Sequence, residues 1–537
     1  MTYDFVIVGG GSAGATLAAR LSENPNHQIC LLEAGDEGKS IFIRAPLGVV
    51  AIMPGIGKLH NWAFNTQPQK GLNGRKGYQP RGRTLGGSSA INAMVYIRGQ
   101  KQDYDDWADL GCAGWGWDDV LPYFKKSENN ENGADTHHGE SGPLHVSNQK
   151  APRPISRDFV EANTQMQIPR TADFNGGDNE GASLYQATQF HNADKNGERC
   201  SAAAAYLHPV MDRENLHVIT KARAARILFE GKRAVGIEYK SGRKTERVMA
   251  SKEVILCGGA FQSPQLLMLS GVGPRDKITP HGIDMTHELA GVGQNLQDHI
   301  DFVLGFRTKD KDNLGISLSG GLKMLGEIFK WRKHGNSMIA SNVAEAGSFF
   351  KTDAALERPD VQTHFVVGLV DDHSRKLHLG HGVSCHVCVL RPHSRGEVSL
   401  ASADPMADPA IDPNYFSDER DLATLMRGAK MTRNIMLSPA MKKNIKKEMY
   451  GVHDDMSDAE WESHIRARAD TVYHPVGTCK MGTDDMAVVD PELRVRGLEG
   501  LRVADASIMP NVVSGNTNAP CIMIGEKAAD MIKAAHG

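Results

Sequence analysis

A single histidine, His474, lies in the segment TVYHPVGTCKMG, beside a proline and ahead of two glycines. Imidazole has a pKa of about 6.5, so near neutral pH it can take a proton from a bound ligand without a large perturbation. Asn516 lies in SGNTNAP. The amide of an Asn can stabilise a developing negative charge, but Asn also commonly caps helices and turns. From the residues alone, an ordinary hydrogen-bonding role for His474 and a capping role for Asn516 remain open alternatives.

The amino terminus carries the pattern of a dinucleotide site. YDFVIVGGGSAGATLAARL predicts a buried strand, a glycine turn and a helix, and HQICLLEAG predicts a second strand that ends at Glu33. Gly9 permits the tight turn, Gly11 allows close approach to a pyrophosphate, and Gly14 allows close packing of helix on strand. The helix amino terminus would face the phosphates, and Glu33 suits ribose hydroxyls. The alternative is an ordinary glycine turn in an α/β protein.

Composition limits the partners and the location of the chain. Its 537 residues favour two domains, and 61 Lys and Arg against 64 Asp and Glu give a net charge of only -3. This balance argues against a polyanion, so no nucleic-acid partner is expected. No apolar stretch reaches the roughly 18 residues of a spanning helix, and no basic leader precedes the strand at Tyr3. We therefore expect a cytoplasmic protein.

Elements of one nucleotide-binding domain are spread over the whole chain. PRGRTLGGSSAINAMVYIRG (80–99) suits backbone that passes close to a flat ligand, while EVILCGGAFQSPQLLMLSGVG (253–273) repeats the order of strand, glycine and helix. GLRVADASIMP (500–510) predicts a further strand. Residues 359–402 instead show β-rich runs separated by turns, which is typical of an antiparallel sheet.

These patterns divide the chain into five segments. We predict that 1–150, 200–300 and 471–537 form the dinucleotide-binding domain. The stretch 151–199 is predicted to be a cap segment, and 301–470 the substrate-binding domain.

The scattered cysteines and a group of histidines do not predict a metal site. The chain has eight cysteines, too sparse for a disulfide scaffold. Cys385 and Cys388 form C-x-x-C, but VSCHVCVLR predicts a strand in which positions three apart face opposite sides. His373, His378 and His381 share one loop without tight ligand spacing, so we predict a solvated loop and no bound metal.

Four segments resemble the glucose-methanol-choline (GMC) family of flavin adenine dinucleotide (FAD) oxidoreductases. They are GRTLGGSSAINAMVYIRGQKQDYD (82–105), GAFQSPQLLMLSGVG (259–273), YHPVGTCKMG (473–482) and RVADASIMPNVVSGNTNAPCIMIGEKAAD (502–530), in the family's order. The resemblance covers essentially the full chain. It implies an α/β fold: a Rossmann-like FAD-binding domain and a substrate domain built on an antiparallel β-sheet covered by helices.

The resemblance also implies roles for individual residues. His474 would be the base that takes the hydroxyl proton, and Asn516 would hold the developing alkoxide before the flavin. Ile91 stands where some members carry a histidine that binds FAD covalently, so FAD is expected to be non-covalent. The cofactor-binding residues implied are Gly9, Gly11, Ser12, Ala13, Gly14, Glu33, Ala34, Arg83, Gly86, Gly87, Asn92, Ala93, Met94, Val95, Ala224, Asp505, Ala506, Asn516 and Thr517.

Three further positions have open or structural interpretations. Glu345 matches a carboxylate that choline-oxidising relatives use near a cationic head group, or it is structural. Tyr473, next to the base, is the other candidate substrate contact. GVGQNLQDH (291–299) is predicted to be a structural link between the domains.

The likeness is to bacterial flavin alcohol dehydrogenases, including membrane-associated enzymes of alkane-degrading bacteria, and to choline dehydrogenases. We expect oxidation of a primary alcohol, aliphatic or aromatic, to the aldehyde, with hydride transfer to flavin N5. A quinone or artificial acceptor would take the electrons. The alternatives are an oxidase that releases peroxide, a choline dehydrogenase, and a non-redox or light-driven relative. Oligomeric state is not predicted, and peripheral association with the inner membrane face stays open.

Overall fold

The computed structural model describes residues 2–316 and 318–537. Two large sheets contain the strands β1 Thr2–Val8, β2 Ile29–Leu32, β3 Gly181–Leu184, β4 Leu216–Ile219, β5 Arg223–Glu230, β6 Arg233–Ser241, β7 Lys244–Leu256, β8 Ile300–Thr308, β9 Gly315–Ile316, β10 Ala344–Phe350, β11 Val361–Val366, β12 Gly380–Val389, β13 Ile445–Glu448, β14 Asp470–Thr471 and β15 Leu501–Val503. The longer helices are α1 Ser12–Leu21, α2 Lys101–Asp109, α3 Trp117–Ser127, α4 Pro154–Gln165, α5 Gly259–Leu269, α6 Leu318–His334, α7 Glu419–Leu437, α8 Asp458–Arg468 and α9 Asn518–His536.

The first sheet has the order β4-β2-β1-β7-β6-β5, and β15 pairs with β7. Strands β4, β2, β1, β7 and β15 are parallel neighbours, whereas β6 and β5 extend the sheet as an antiparallel hairpin. The continuous apolar runs of β1 and β2 fit a parallel sheet buried on both faces. Helix α1 returns from β1 and packs against α9, so the two ends of the chain meet beside the glycine turn.

The second sheet has the order β13-β8-β12-β11-β10-β3, with antiparallel pairing throughout. Side chains alternate between its two faces because successive residues of a strand point to opposite sides. Phe365 of β11 faces the helices α4 and α7 and stacks on Phe159 at a centroid distance of 4.7 Å. Its neighbour His364 faces the first domain. The predicted fold class, a Rossmann-like domain with an antiparallel substrate domain, is confirmed.

The cysteine pair of β12 follows the same alternation. Cys385 packs in the apolar core under α4 and α7, whereas Cys388 lies opposite Gln362 in the register. Both are buried free thiols. The described part of the chain holds no group of three His, Cys, Asp or Glu side chains that could bind a metal ion.

Each sheet takes its strands from separated parts of the chain. β3, from the predicted cap segment, pairs with β10 of the second sheet, and β15 joins the first sheet from near the carboxy terminus. The five segment boundaries stay a prediction, because strand pairing does not fix where a domain ends. Within residues 2–316 and 318–537, no helix is both long enough and apolar enough to cross a bilayer.

Candidate active site

His474 lies three residues beyond the end of β14, where the chain turns into the interface between the two domains. Tyr473 takes a left-handed backbone conformation, with φ of 77°, which redirects the chain at this point. The backbone N–H of His474 then donates to Oδ1 of Asp298 at 2.9 Å. The ring is therefore held by its backbone at a fixed position while it is almost fully buried.

The hydrogen bonds of His299 determine which nitrogen of His474 carries a proton. Nε2 of His299 lies 3.0 Å from the carbonyl oxygen of Leu390, and a carbonyl can only accept, so this nitrogen is protonated. Nδ1 of neutral His299 is then an acceptor, and it lies 2.9 Å from Nδ1 of His474. His474 therefore donates through Nδ1 and keeps the lone pair of Nε2 for the cavity.

Asn516 faces that lone pair. Its Nδ2 lies 3.1 Å from Nε2 of His474 and donates to it. Its Oδ1 accepts from Nε2 of Gln362 at 3.1 Å, which fixes the orientation of the amide. Asn516 precedes the first turn of α9, so the amide stands next to the positive end of a 19-residue helix.

The surroundings keep His474 uncharged. Burial lowers its pKa well below the usual value, and the neighbouring His299 and His364 act in the same direction. Burial likewise lowers the pKa of His364 to about 3. The guanidinium of Arg81 adds a further unfavourable charge for an imidazolium. His474 is therefore a neutral base with its lone pair available.

A cavity of about 320 Å³ extends from the glycine turn between β1 and α1 to the ring of His474. At the first end, Glu33 accepts backbone N–H bonds from Gly10 at 2.9 Å and Gly35 at 2.7 Å. Burial raises the pKa of Glu33 to about 7. The opposite part, here called the substrate end, is lined by Ala344, His364, Val366, His386, Tyr473 and His474.

The glycine turn fits a pyrophosphate. A Cβ on Gly14 would meet the carbonyl oxygen of Gly9 at 1.9 Å, so helix α1 can approach β1 only with glycine at this position. A Cβ on Gly11 would meet nothing closer than 4.0 Å, because this residue opens onto the cavity. No side chain caps the first turn of α1, so its N–H groups are available to an anion. The residues present therefore suit the diphosphate of FAD.

The comparisons with known proteins agree with this geometry. Two family models, both described as GMC oxidoreductase, match residues 3–301 and 392–525. The chain is 47% identical over 533 residues to an alcohol dehydrogenase (acceptor) of Pseudomonas putida, covering 99% of this chain and 95% of that protein. It is 43% identical over 545 residues to human mitochondrial choline dehydrogenase, covering 99% and 90%. The crystal structure of pyridoxine 4-oxidase from Mesorbium loti superposes with a TM-score of 0.89 at 32% identity and 100% coverage of both chains.

The chain belongs to the GMC oxidoreductase family. It is accordingly an FAD-dependent oxidoreductase, and the cavity between its two domains is the candidate active site.

Most residues named from the sequence line the GMC cavity. They are Gly9, Gly11, Ser12, Ala13, Glu33, Ala34, Gly87, Asn92, Ala93, Met94, Val95, Ala224, Tyr473, His474, Asp505, Ala506, Asn516 and Thr517. Three of the expected cofactor-binding residues lie outside the lining. Gly14 packs on Gly9, Gly86 forms the turn before Gly87 with φ of 89°, and Arg83 stacks over the ring of Trp62 at 4.7 Å.

Glu345 faces away from the substrate end. Its oxygens accept from Ser341 and Ser156, each at 2.7 Å, and from the backbone N–H of Arg153 at 2.7 Å. Ala344, one position earlier on β10, is the residue that lines the cavity, as the alternation of a strand requires. The carboxylate therefore ties β10 to the start of α4, in line with the structural interpretation.

Two expectations from the sequence need correction. His299 is more than part of a structural link, because it bonds the ring of His474. His373 is buried rather than solvated, with Nδ1 2.8 Å from the hydroxyl of Tyr473. Sequence reasoning also missed His364 and His386. The available signal was the alternation of side chains between the two faces of the strands QTHFVV and SCHVCV, which places each histidine on the face opposite to its immediate neighbours.

The packing of Gly14 against Gly9 leads to a prediction about FAD binding in this GMC enzyme. We expect Gly14→Ala to yield protein with little or no flavin, because the added Cβ displaces α1 from the phosphate position. Flavin absorbance per polypeptide measures the effect. Gly326→Ala is the matched control, since a Cβ there meets nothing within 4 Å. Full flavin content in Gly14→Ala would show that α1 does not hold the phosphates.

Proposed function

We propose that this GMC enzyme oxidises an uncharged primary alcohol, aliphatic or aromatic, to the aldehyde. The observation that carries the proposal is the fixed tautomer of His474, which leaves Nε2 as a proton acceptor at the substrate end. When bound, FAD supplies the acceptor for the hydride that leaves the carbinol carbon. The alcohol dehydrogenase of Pseudomonas putida, at 47% identity, supports this substrate class.

His474 and Asn516 divide the work on the hydroxyl group. The alcohol oxygen takes a place within reach of both Nε2 of His474 and Nδ2 of Asn516, which now contact each other at 3.1 Å. His474 accepts the hydroxyl proton, and the amide N–H of Asn516 bonds the oxygen as negative charge develops on it. Both groups are neutral before the reaction, so a neutral alcohol can bind without a counter-charge.

The charges around the cavity support a neutral alcohol over choline. The only acids among its described lining residues are Glu33 and Asp505. Glu33 bonds the glycine turn, and Asp505 accepts from the backbone of Gly259 and the hydroxyl of Ser263, so both lie at the cofactor. A quaternary ammonium ion needs an anionic or aromatic pocket, and only Tyr473 offers an aromatic face at the substrate end. Oxidation of choline is the alternative, supported by 43% identity to choline dehydrogenase.

FAD is proposed to bind without a covalent link. Ile91 lines the cavity at the position where a linking histidine stands in some relatives, and its alkyl side chain has no nucleophilic atom. The proposal rests on this single substitution.

Electrons are proposed to leave for a quinone or an artificial acceptor at a membrane surface. Large apolar side chains are exposed on α6, including Phe329 at 74%, and on the adjoining β9 and 377–379 segment. Ile316 of β9 is bridged to Leu379, and β9 contacts α6. The exposed apolar side chains of these elements, here called the apolar patch, are Ile316, Leu325, Phe329, Leu377 and Leu379. The basic residues Lys330, Arg332 and Lys333 of α6 lie beside it. Such a combination fits an anionic lipid surface.

The role of His474 can be tested directly. We expect His474→Ala to lower turnover by about a hundred-fold to ten-thousand-fold, the usual effect of a lost general base. FAD content should stay unchanged, measured in the supernatant after acid precipitation, which releases only non-covalent flavin. His453→Ala, at an exposed site, is the matched control. Unchanged turnover in His474→Ala would refute the proposed base.

Substrate class and acceptor can be tested together. In anaerobic mixing, 1-butanol and benzyl alcohol should bleach the flavin, with kcat/KM at least about tenfold above that for choline, because a buried cation would lack a counter-charge. Turnover with a dye should exceed peroxide formation in air. A preference for choline would favour the alternative substrate, and peroxide as the main product would make the enzyme an oxidase.

The apolar patch predicts membrane binding. We expect the holoenzyme to float with vesicles of phosphatidylethanolamine and phosphatidylglycerol, and the Leu325→Glu, Phe329→Glu double variant to stay in solution. Leu110→Glu, at a position 52% exposed beside α2, is the control and should float. If the wild-type enzyme does not float with the vesicles, the proposal that its electron acceptor is reached at a membrane surface is wrong.

A further inference from the structure

A second cavity adjoins the substrate end. This polar chamber has a volume of about 240 Å³, which is enough to hold water. Charged and polar side chains line most of it, among them Arg75, Asp301, His373, His386, Arg468 and Tyr473. His386 and Tyr473 also line the substrate end, so these two side chains form the wall between the two cavities.

In the wall between the two cavities, His386 is paired with the acid Asp301. Nδ1 of His386, on β12, lies 2.7 Å from Oδ2 of Asp301 on the neighbouring β8. Oδ1 of Asp301 is buried and accepts a hydrogen bond from no residue that the structure describes. Asp301 lines the polar chamber, and its side chain is 4% exposed, so a proton on this carboxyl group can pass to water there. Nε2 of His386 has no hydrogen-bond partner among the described residues either.

Three adjacent strands connect this pair to the catalytic residues. Nδ2 of Asn516 lies 3.1 Å from Nε2 of His474 and 3.3 Å from Nε2 of His364 on β11. His364 stands directly opposite His386 in the pairing of β11 with β12, on the same face of the sheet. A row of polar side chains therefore runs across the sheet from the base to Asp301.

The proton that His474 accepts needs such a route. The imidazolium is disfavoured by burial and by its neighbours, so the proton cannot stay between turnovers. Transfer to His299 ends at the carbonyl of Leu390, and a backbone carbonyl cannot pass a proton onward. The polar chamber adjoins the substrate end and offers ionisable groups in its wall.

We propose that His386 and Asp301 carry the proton released by alcohol oxidation from the substrate end into the polar chamber. The inference rests on the proposed function. Nε2 of His386 takes a proton from His474, through water or His364, while Nδ1 gives its proton to Asp301. Asp301 then releases a proton to water in the chamber, and His386 returns to its first tautomer when water takes the proton from Nε2 and gives one back to Nδ1. One proton enters and one leaves, and no electron moves.

Other charged groups face the pair from every side. His364 adjoins His386 on β11, and Asp470 lies opposite Asp301 on β14. Asp470 is in turn paired with Arg75 at 3.0 Å and His373 at 3.3 Å. Because Asp470 has two basic partners, it is held as a carboxylate, whereas Asp301 has only His386. Asp301 is thus the acid of this group that is free to exchange a proton.

The test compares flavin bleaching with proton release. Holoenzyme is mixed with the best alcohol of the panel in stopped flow without air, in weak buffer with a pH indicator. Wild-type enzyme should release its proton together with the bleaching. In Asp301→Asn, which still accepts from His386 but cannot take a proton, bleaching should change less than about twofold while proton release slows at least about tenfold. Simultaneous release in this variant would overturn the proposal.

Two further variants separate proton transfer from a structural role. Asp301→Ala should show the same delay, and added formate should remove it by replacing the lost carboxylate; a delay that formate leaves unchanged would count against the route. His373→Gln is the matched control in the same chamber and should release its proton with the bleaching. If proton release is delayed only in His373→Gln, the proton leaves by way of Tyr473, which His373 contacts, and the proposal for Asp301 is wrong. If Asp301→Asn does not bind FAD, His386→Gln is measured in its place, with the same expected bleaching rate and the same expected delay of proton release.

Failure of the proposed function would be seen separately. If no alcohol bleaches wild-type flavin, the same enzymes are reduced with light and a deazaflavin donor and then oxidised with ferricyanide, which also releases a proton. Slow release in Asp301→Asn under these conditions supports the route without any alcohol. Release at the wild-type rate rejects it.

Discussion

The contact between Nδ1 of His299 and Nδ1 of His474 is the interaction on which the active site depends. Two neutral imidazoles can share a hydrogen bond in this arrangement only if one donates and the other accepts. The carbonyl of Leu390 makes that choice, because it requires a proton on Nε2 of His299. Without it, His474 could place its proton on Nε2 and would then meet a substrate hydroxyl as a donor instead of a base.

The two-domain architecture supplies the partners of this chain of bonds. His299 and Leu390 come from the ends of β8 and β12, neighbours in the second sheet, whereas Asn516 precedes α9 of the first domain. His474 lies where the chain leaves the second sheet at β14 and returns to the first domain. The base is therefore fixed by one domain, and the amide that faces it is fixed by the other.

The sequence was sufficient for the parts of the structure that depend on local pattern. The glycine turn, the parallel strands and the alternating strands of the second sheet each follow from spacing within a short segment, and the GMC motifs indicated His474 and Asn516. The same alternation rule accounts for Cys385 and Cys388 on opposite faces. Glu345 shows the limit of a motif, because a match in sequence does not say which side of β10 faces the cavity.

Contacts between distant segments could not be predicted in this way. His299 and His474 are 175 positions apart, and nothing in GVGQNLQDH indicates that its last residue meets another ring. His364 and His386 occupy alternate positions of ordinary buried strands. Their pairing with Asn516 and Asp301 depends on the register of three strands, and a shift of one residue would turn each side chain to the opposite face.

Burial of His474 has two opposite effects on catalysis. It keeps the imidazole neutral and ready to accept, yet a depressed pKa also makes it a weaker base for an alcohol hydroxyl. The free energy that the weaker base fails to supply for proton transfer has to come from groups that stabilise the negative charge left on the alcohol oxygen. Arg81 is placed to contribute, since its buried guanidinium lines the cavity and donates to the backbone carbonyls of Pro80 and Tyr473 rather than to a carboxylate. The neighbouring carboxyl of Asp298 offsets part of its charge, but the guanidinium still disfavours an imidazolium at His474 and would favour an alkoxide by the same electrostatic effect.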